Sequence, residues 1–252
     1  MTAINTNVGA LNARLYTLGA NREQQQAMER LSSGMRVNSA ADDAAGLAVA
    51  GKMESQLRGI NMSIRNAQDG VGLIQTAESG VNEIRNMVLR MRELAVQMAN
   101  GVYINNPDRN FAQIEIDQLI QQIDTIALNA NFNGVALLDG TMQNIGIQTG
   151  PSANERPSIF FKESTSNGLG IDTVDVTTQD NAMTAMVTLE TALTSISGEL
   201  SRAGAYDNRF GHTISVLEQT ANATKISRGR IMDADIAEES TRLSKAQVLS
   251  QA

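Results

Sequence analysis

Leu57-Arg-Gly-Ile60-Asn-Met-Ser-Ile64-Arg-Asn-Ala67-Gln-Asp-Gly-Val71-Gly-Leu-Ile74 places an apolar side chain at steps of three and four residues. After one three-residue slip the pattern continues through Ala77, Val81, Ile84, Val88, Met91, Ala95 and Met98. Alternating three-four steps put one apolar stripe on an α-helix and mark a coiled-coil seam. The slip at Ala77 reads as a stammer, a local overwinding of that seam. As a single helix, residues 57–100 would extend about 66 Å. A helix of that length predicts a rod rather than a rounded domain.

Working outward, Asn105-Asn106-Pro107-Asp108 is expected to stop one helix and start the next, with Asn106 as N-cap, Pro107 at the first helical position and Asp108 in the first turn. Phe111, Ile116, Leu119, Ile120, Ile123 and Ala127 give the following helix an apolar face. The periodicity ends at Phe132-Asn133-Gly134. Val135–Leu138, Asn144–Gln148 and Pro157–Lys162 read as short strands among the turn signals Asp139-Gly140 and Asn167-Gly168. The seam returns at Met186, Leu189, Leu193, Ile196, Leu200 and Ala203, and runs through Asp207, Phe210, Ile214, Leu217, Ala221 and Thr224. A break is expected at Ser227-Arg228-Gly229-Arg230, before a last helix from Ile231. Near the N-terminus, Ile4, Val8, Leu11, Leu15 and Leu18 form a shorter seam that is marginal as an isolated helix, expected to be frayed in the free chain and to order by pairing with that last helix. Ser39 and Asp42 read as a capping box opening the long helix.

The expected fold class is mainly α: a long antiparallel coiled-coil or helical-bundle rod with a small β-hairpin region mid-chain. The expected division is terminal helices at 1–42 and 231–252, a helical rod at 43–133 and 179–230, and a β-hairpin part of the rod at 134–178.

Composition supports a helical rod. Of 252 residues only three are Pro, at 107, 151 and 157, so neither end of the chain carries a helix breaker. Trp is absent and aromatics are 3%. With no Cys, there is no disulfide framework and no thiolate metal site. The net charge of -7 disfavours nucleic acid, which demands clustered Lys and Arg. No apolar run approaches the roughly 20 residues of a membrane helix. The N-terminus lacks the basic and apolar regions of a cleavable signal. His212 is the only histidine and reads as a helix-surface residue. With neither a phosphate loop nor a His cluster, no enzymatic constellation is present and no catalytic, cofactor or metal residue is assigned.

Leu31-Ser-Ser-Gly34-Met-Arg36-Val-Asn38-Ser-Ala-Ala-Asp42-Asp43-Ala-Ala-Gly46-Leu-Ala48 resembles the N-terminal signature of bacterial flagellins. So does the stretch from Arg58 to Gly70. Phe132-Asn133-Gly134 with Leu137-Leu138-Asp139-Gly140 is similar to the family's entry into its β-hairpin. Asn208-Arg209-Phe210, Ser227-Arg228 through Asp233-Ala234-Asp235, and Glu238 resemble its C-terminal signature. The resemblance implies a structural subunit, exported by the flagellar type III apparatus, that polymerises into the extracellular filament used for swimming motility. The hook–filament junction protein, which shares the helical plan, is the alternative. Implied partners are other copies of the chain, an export chaperone, the cap and the hook–filament junction proteins, with neither nucleic acid nor membrane. Leu89, Arg90, Glu93, Leu94 and Gln97, with Glu115, are expected first of all to meet the next subunit in the filament; they also resemble the segment read by host Toll-like receptor 5 in innate immune recognition. The spacing sets Arg90, Leu94 and Gln97 on a face away from the seam. Ile4, Val8, Leu11, Leu15 and Leu18 become filament-core residues, expected to order only when they also pair with neighbouring copies. The short middle implies that large outer domains are missing. Ser201–Tyr206 departs from the family's usual apolar run, and the family's last helix is expected to continue some turns past Ala252.

Overall fold

The computed structural model describes residues 7–142, 144–152 and 154–251. Among the described residues there are six α-helices: α1 (Val8–Ser33), α2 (Ala44–Met98), α3 (Asn110–Asn129), α4 (Ser166–Leu169), α5 (Gln179–Met232) and α6 (Ile236–Gln251). Two small antiparallel hairpins lie between α3 and α5. One pairs β1 (Asn131–Phe132) with β2 (Val135–Ala136), the other β3 (Ile145–Gly146) with β4 (Ser158–Ile159). The mainly helical class with a β-hairpin region mid-chain is as the periodicity predicted. Two compact units result, Met1–Gly59 with Gln219–Ala252, and Ile60–Glu218, and both α2 and α5 contribute to each.

The seam that decided the fold is buried. In the 60–218 unit, Ala67, Ile74, Ala77, Val81, Ile84, Val88, Met91, Ala95 and Met98 join one core, on both sides of the slip at Ala77. They pack with Ile116, Ile123 and Ala127 of α3 and with Ala182, Ala185, Leu189, Ala192, Ile196 and Ala203 of α5. The α5 stripe is thus rotated only in part from the expected one: Leu189, Ile196 and Ala203 are buried as expected, alanines take the places between them, and Met186, Leu193 and Leu200 are half-buried at its edge. Small residues at the centre let long helices approach closely. Fully buried Leu137, Leu138, Ile159, Phe161 and Ile171 bring the middle segment onto the same core. Gly80 makes room for this, since a Cβ there would stand 2.9 Å from Leu138 Cδ1.

Caps explain the helix starts. Asn7 Oδ1 accepts from Ala10 N at 3.0 Å, Thr178 Oγ1 from Asn181 N at 3.2 Å, and Asp235 Oδ1 from the amides of Ala237 and Glu238. At α2 the expectation is corrected. Asp43, not Ser39, caps the helix, its Oδ1 accepting from Gly46 N at 2.8 Å. Ser39 and Asp42 instead close the turn before it: the Asp42 carboxylate accepts from Ser39 N and Oγ, both at 2.9 Å, and from Asn38 N at 3.2 Å.

Other expected boundaries also differ. A π-helical turn, Asn105–Arg109, precedes α3, so the α-helix begins at Asn110 rather than after Asn106, whose side chain lies outside the described residues. The turn directs Arg109 back onto the end of α2. Helix α5 runs straight through Ser227-Arg228-Gly229-Arg230 to Met232. Arg228 pairs there with Glu54 of α2, and Gly229 leaves space for the Asp233 carboxylate, 2.8 Å from where a Cβ would sit. The expected strand at 135–138 shrinks to two residues because Leu137 and Leu138 both turn into the core instead of alternating. Its partner β1 returns through Asn133-Gly134, both with positive φ (50° and 80°), the pairing that two-residue hairpins favour. Asn167-Gly168, expected as a turn, lies inside the short α4, which closes at Gly170 with φ 69°.

Candidate assembly surface

In the unit of residues 1–59 and 219–252, α1 and α6 pack antiparallel. The connectors at their roots are stitched together. Met35 bridges Asp233 in antiparallel fashion, Arg36 N donates to Met232 O at 2.6 Å, and Ala234 N to Gly34 O at 3.0 Å. Arg36 Nη2 donates to Ile231 O at 2.7 Å. Gly34, at φ 68°, ends α1 in the left-handed conformation that this reversal requires. One turn on, the buried Glu239 carboxylate accepts from Arg30 Nη1 at 3.0 Å and lies 3.5 Å from Arg242 Nη1.

Beyond that root α1 is poorly covered. Its buried residues are Ala20 and Ala27. Val8, Leu11, Leu15 and Leu18, the seam residues expected at a filament core, are 62, 50, 66 and 48% exposed. Ile4 lies outside the described residues. On α6, Val248 and Leu249 are exposed as well. The two helices present an apolar surface that one copy of the chain leaves in water.

The second candidate surface lies in the 60–218 unit, on α2 and α3. Arg90 Nε donates to Glu115 Oε1 at 2.7 Å, and Arg90 Nη1 to Glu93 Oε2 at 3.3 Å. The hydrogen-bonded Glu115 carboxylate, and then Glu93, push the Arg90 guanidinium pKa up. Gln97 Nε2 donates to the Tyr103 hydroxyl at 3.1 Å, and Leu89 is exposed. Leu94 does not belong to this face. It is only 5% exposed and joins the core. Four residues on from Arg90 and one before Ala95, it falls within the seam's own arc. Arg92, on the outside, reaches Glu190 of α5 at 2.9 Å.

Sequence reasoning missed Arg109. Buried at 3% exposure, it donates from Nε to Met98 O at 2.9 Å, from Nη2 to Asn100 O at 3.1 Å and from Nη1 to Asn105 Oδ1 at 2.6 Å. One guanidinium thus caps the carbonyl end of α2 and sets the reversal into α3. A lone Arg behind a Pro-Asp pair carries no sequence signal of this. The run Ser201–Tyr206 also finds its place: Ala203 is buried and the Tyr206 ring meets Phe161 edge-on at 6.2 Å.

Residues 4–143 match the bacterial flagellin N-terminal helical region, and residues 186–252 the bacterial flagellin C-terminal helical region. The chain belongs to the bacterial flagellin family. A flagellar filament core protein of Brachyspira hyodysenteriae is 37% identical over 99% of this chain and 92% of its own length. The flagellin of Halalkalibacterium halodurans is likewise 37% identical, over the same shares. Among solved structures, Bacillus cereus flagellin matches with a TM-score of 0.54 and 33% identity, over 60% of this chain and 88% of its own. The stitched connectors, Gly34–Arg36 and Met232–Ala234, lie within two of the stretches that carry the flagellin resemblance. The two signatures of the family, far apart in sequence, therefore meet in one place.

Proposed function

We propose that the chain is a structural, non-enzymatic subunit that polymerises with its own copies into the extracellular filament of the bacterial flagellum. The uncovered stripe of Val8, Leu11, Leu15 and Leu18 carries this reading. Each Leu or Val withdrawn from water contributes about 1.5–3 kcal/mol, so packing these stripes between copies drives association. In this reading residues 1–42 and 231–252 supply the filament core. Residues 43–133 and 179–230, with the hairpin part at 134–178, form the outer wall. Relatives named as filament core proteins support it. Export through the type III apparatus, with a chaperone, and growth between cap and hook–filament junction belong to the same proposal, which family membership supports.

The test is seeded growth. The purified chain is added to filaments sheared from cells that express it, and elongation is followed by negative-stain microscopy. Growth of the seeds is expected; seeds that stay at their starting length would overturn the reading.

The face of Leu89, Arg90, Glu93, Gln97 and Glu115 is proposed as a surface read by Toll-like receptor 5 on free monomers. Leu94 is left out because it is buried. Reporter cells carrying the receptor should respond less to an Arg90→Ala, Gln97→Ala double variant than to wild type at equal monomer concentration. Equal responses would remove the idea.

A further inference from the structure

Three asparagines of the chain precede glycine: Asn100, Asn133 and Asn167. Glycine in the second position leaves the peptide nitrogen unshielded by a Cβ, so all three could cyclise and lose ammonia. The fold treats them differently. Asn100 is held at both ends: its Oδ1 accepts from Val102 N at 3.2 Å, and its carbonyl accepts from Arg109 Nη2 at 3.1 Å. At Asn167 the nucleophile is occupied, because Gly168 N donates to Thr165 Oγ1 at 3.1 Å within α4. A Cβ on Gly168 would stand 2.6 Å from Glu163, so the site is also crowded.

Asn133 differs on each count. It is the single non-glycine residue with positive φ among the described residues, at 50°. It is exposed at the hairpin tip, and nothing lies within 4 Å of a Cβ built on Gly134. Among the described residues, no hydrogen bond holds its side chain or the Gly134 N–H. The flanking ladder is two residue pairs long, Asn131 with Ala136 and Phe132 with Val135, closed below by one bond from Leu137 N to Ala130 O at 3.0 Å. A two-stranded ribbon of that length opens locally at little cost, which frees the Asn133 backbone to swing its side chain onto the next nitrogen.

We propose that Asn133 is a site of spontaneous deamidation, selected by the fold over Asn100 and Asn167. Gly134 N loses its proton and attacks Asn133 Cγ, forming the N–Cγ bond. The Cγ–Nδ2 bond breaks and the nitrogen leaves as ammonia, taking up one proton. The resulting five-membered imide adds one water. Opening at Cγ gives aspartate; opening at the main-chain carbonyl gives isoaspartate, with one extra backbone carbon in the turn. No electrons are exchanged and water is the co-reactant. Either product places a new negative charge at the hairpin tip, and isoaspartate no longer fits the two-residue turn.

The native full chain is aged in mildly alkaline buffer and digested. Peptide mass spectrometry then follows the amide-to-acid mass gain at the three sites, with isoaspartyl methyltransferase counting the isomer. A parallel sample is aged in urea. Asn133 is expected to convert about tenfold faster than Asn100 and Asn167 in the native chain, with the three rates converging in urea. Asn133→Gln should remove the fast isoaspartate signal. Equal native rates at the three sites, or a native Asn133 that stays intact, would overturn the proposal. So would the same preference in urea, because local sequence rather than the fold would then select the site.

Discussion

Met35 and Asp233 face each other across an antiparallel bridge, although 198 positions separate them in the chain (233 minus 35). The bridge exists because Gly34 turns the backbone out of α1 at φ 68° while Asp233 leaves α5. Gly34→Ala forces a Cβ into that left-handed conformation. It should lower stability by about 1–2 kcal/mol in thermal melts followed by circular dichroism. A Cβ at this position meets no atom within 4 Å, so the loss is one of backbone strain and not of packing. Gly34→Asn, which tolerates positive φ better, should lose less.

Arg109 fixes the reversal between α2 and α3. Arg109→Met keeps the stem but removes the guanidinium donors from the carbonyls of Met98 and Asn100, of which Asn100 O keeps only the Tyr103 N–H at 3.4 Å. We expect a loss of about 1–3 kcal/mol in urea melts, together with faster hydrogen exchange in residues 99–105. Unchanged exchange there would show that the reversal stands without the guanidinium.

The rotated stripe on α5 predicts an order between two neighbours. Ile196 is 1% exposed, whereas Leu193 is half-buried. Ile196→Ala should cost roughly 2–5 kcal/mol, and Leu193→Ala under about 2 kcal/mol. Urea melts of the two variants that ranked them in the opposite order would contradict the packing described.

The Asp42 carboxylate accepts from Ser39 N and Oγ and from Asn38 N, and the Ser39 bonds hold its pKa below the ordinary value of 3.8. A carboxyl with a depressed folded pKa stabilises fully above its unfolded value, and that contribution is lost as pH falls through the folded value. Asp42→Asn should therefore be less stable than wild type at neutral pH. The gap should close as pH drops below 3.8. A gap that persisted in acid would mean that shape, not charge, holds the turn.

Much of the fold was legible because two long seams obey one period. From Ala67 to Met98 the seam residues are buried where the spacing put them, apart from the half-buried Val71. On α5, Leu189, Ile196, Ala203 and Phe210 are buried as expected, while Met186, Leu193 and Leu200 give way to their neighbours, because Leu, Met and Ala all fit a three-four pattern and only packing decides whether the larger residue sits at centre or edge. Leu94 was misplaced for the same reason, since a buried arc is wider than a strict seam. The helix starts at Asn110 and Ala44 were missed because each depends on a side chain whose partner is set by the fold: Arg109 on Met98 O, and Asp43 rather than Ser39 on the first turn. The exposed stripe of α1 was legible as a seam. That it stays uncovered within one copy is information only the structure holds.

The central claim is that this stripe joins subunits. Leu11 and Leu15, both outward on α1, can be changed together to Gln, which preserves helix propensity. The measurement is seeded filament elongation by wild type and by the Leu11→Gln, Leu15→Gln variant at equal concentration, with thermal melts of both monomers alongside. Matching melts and no elongation by the variant are expected. Elongation by the variant at the wild-type rate would contradict the claim.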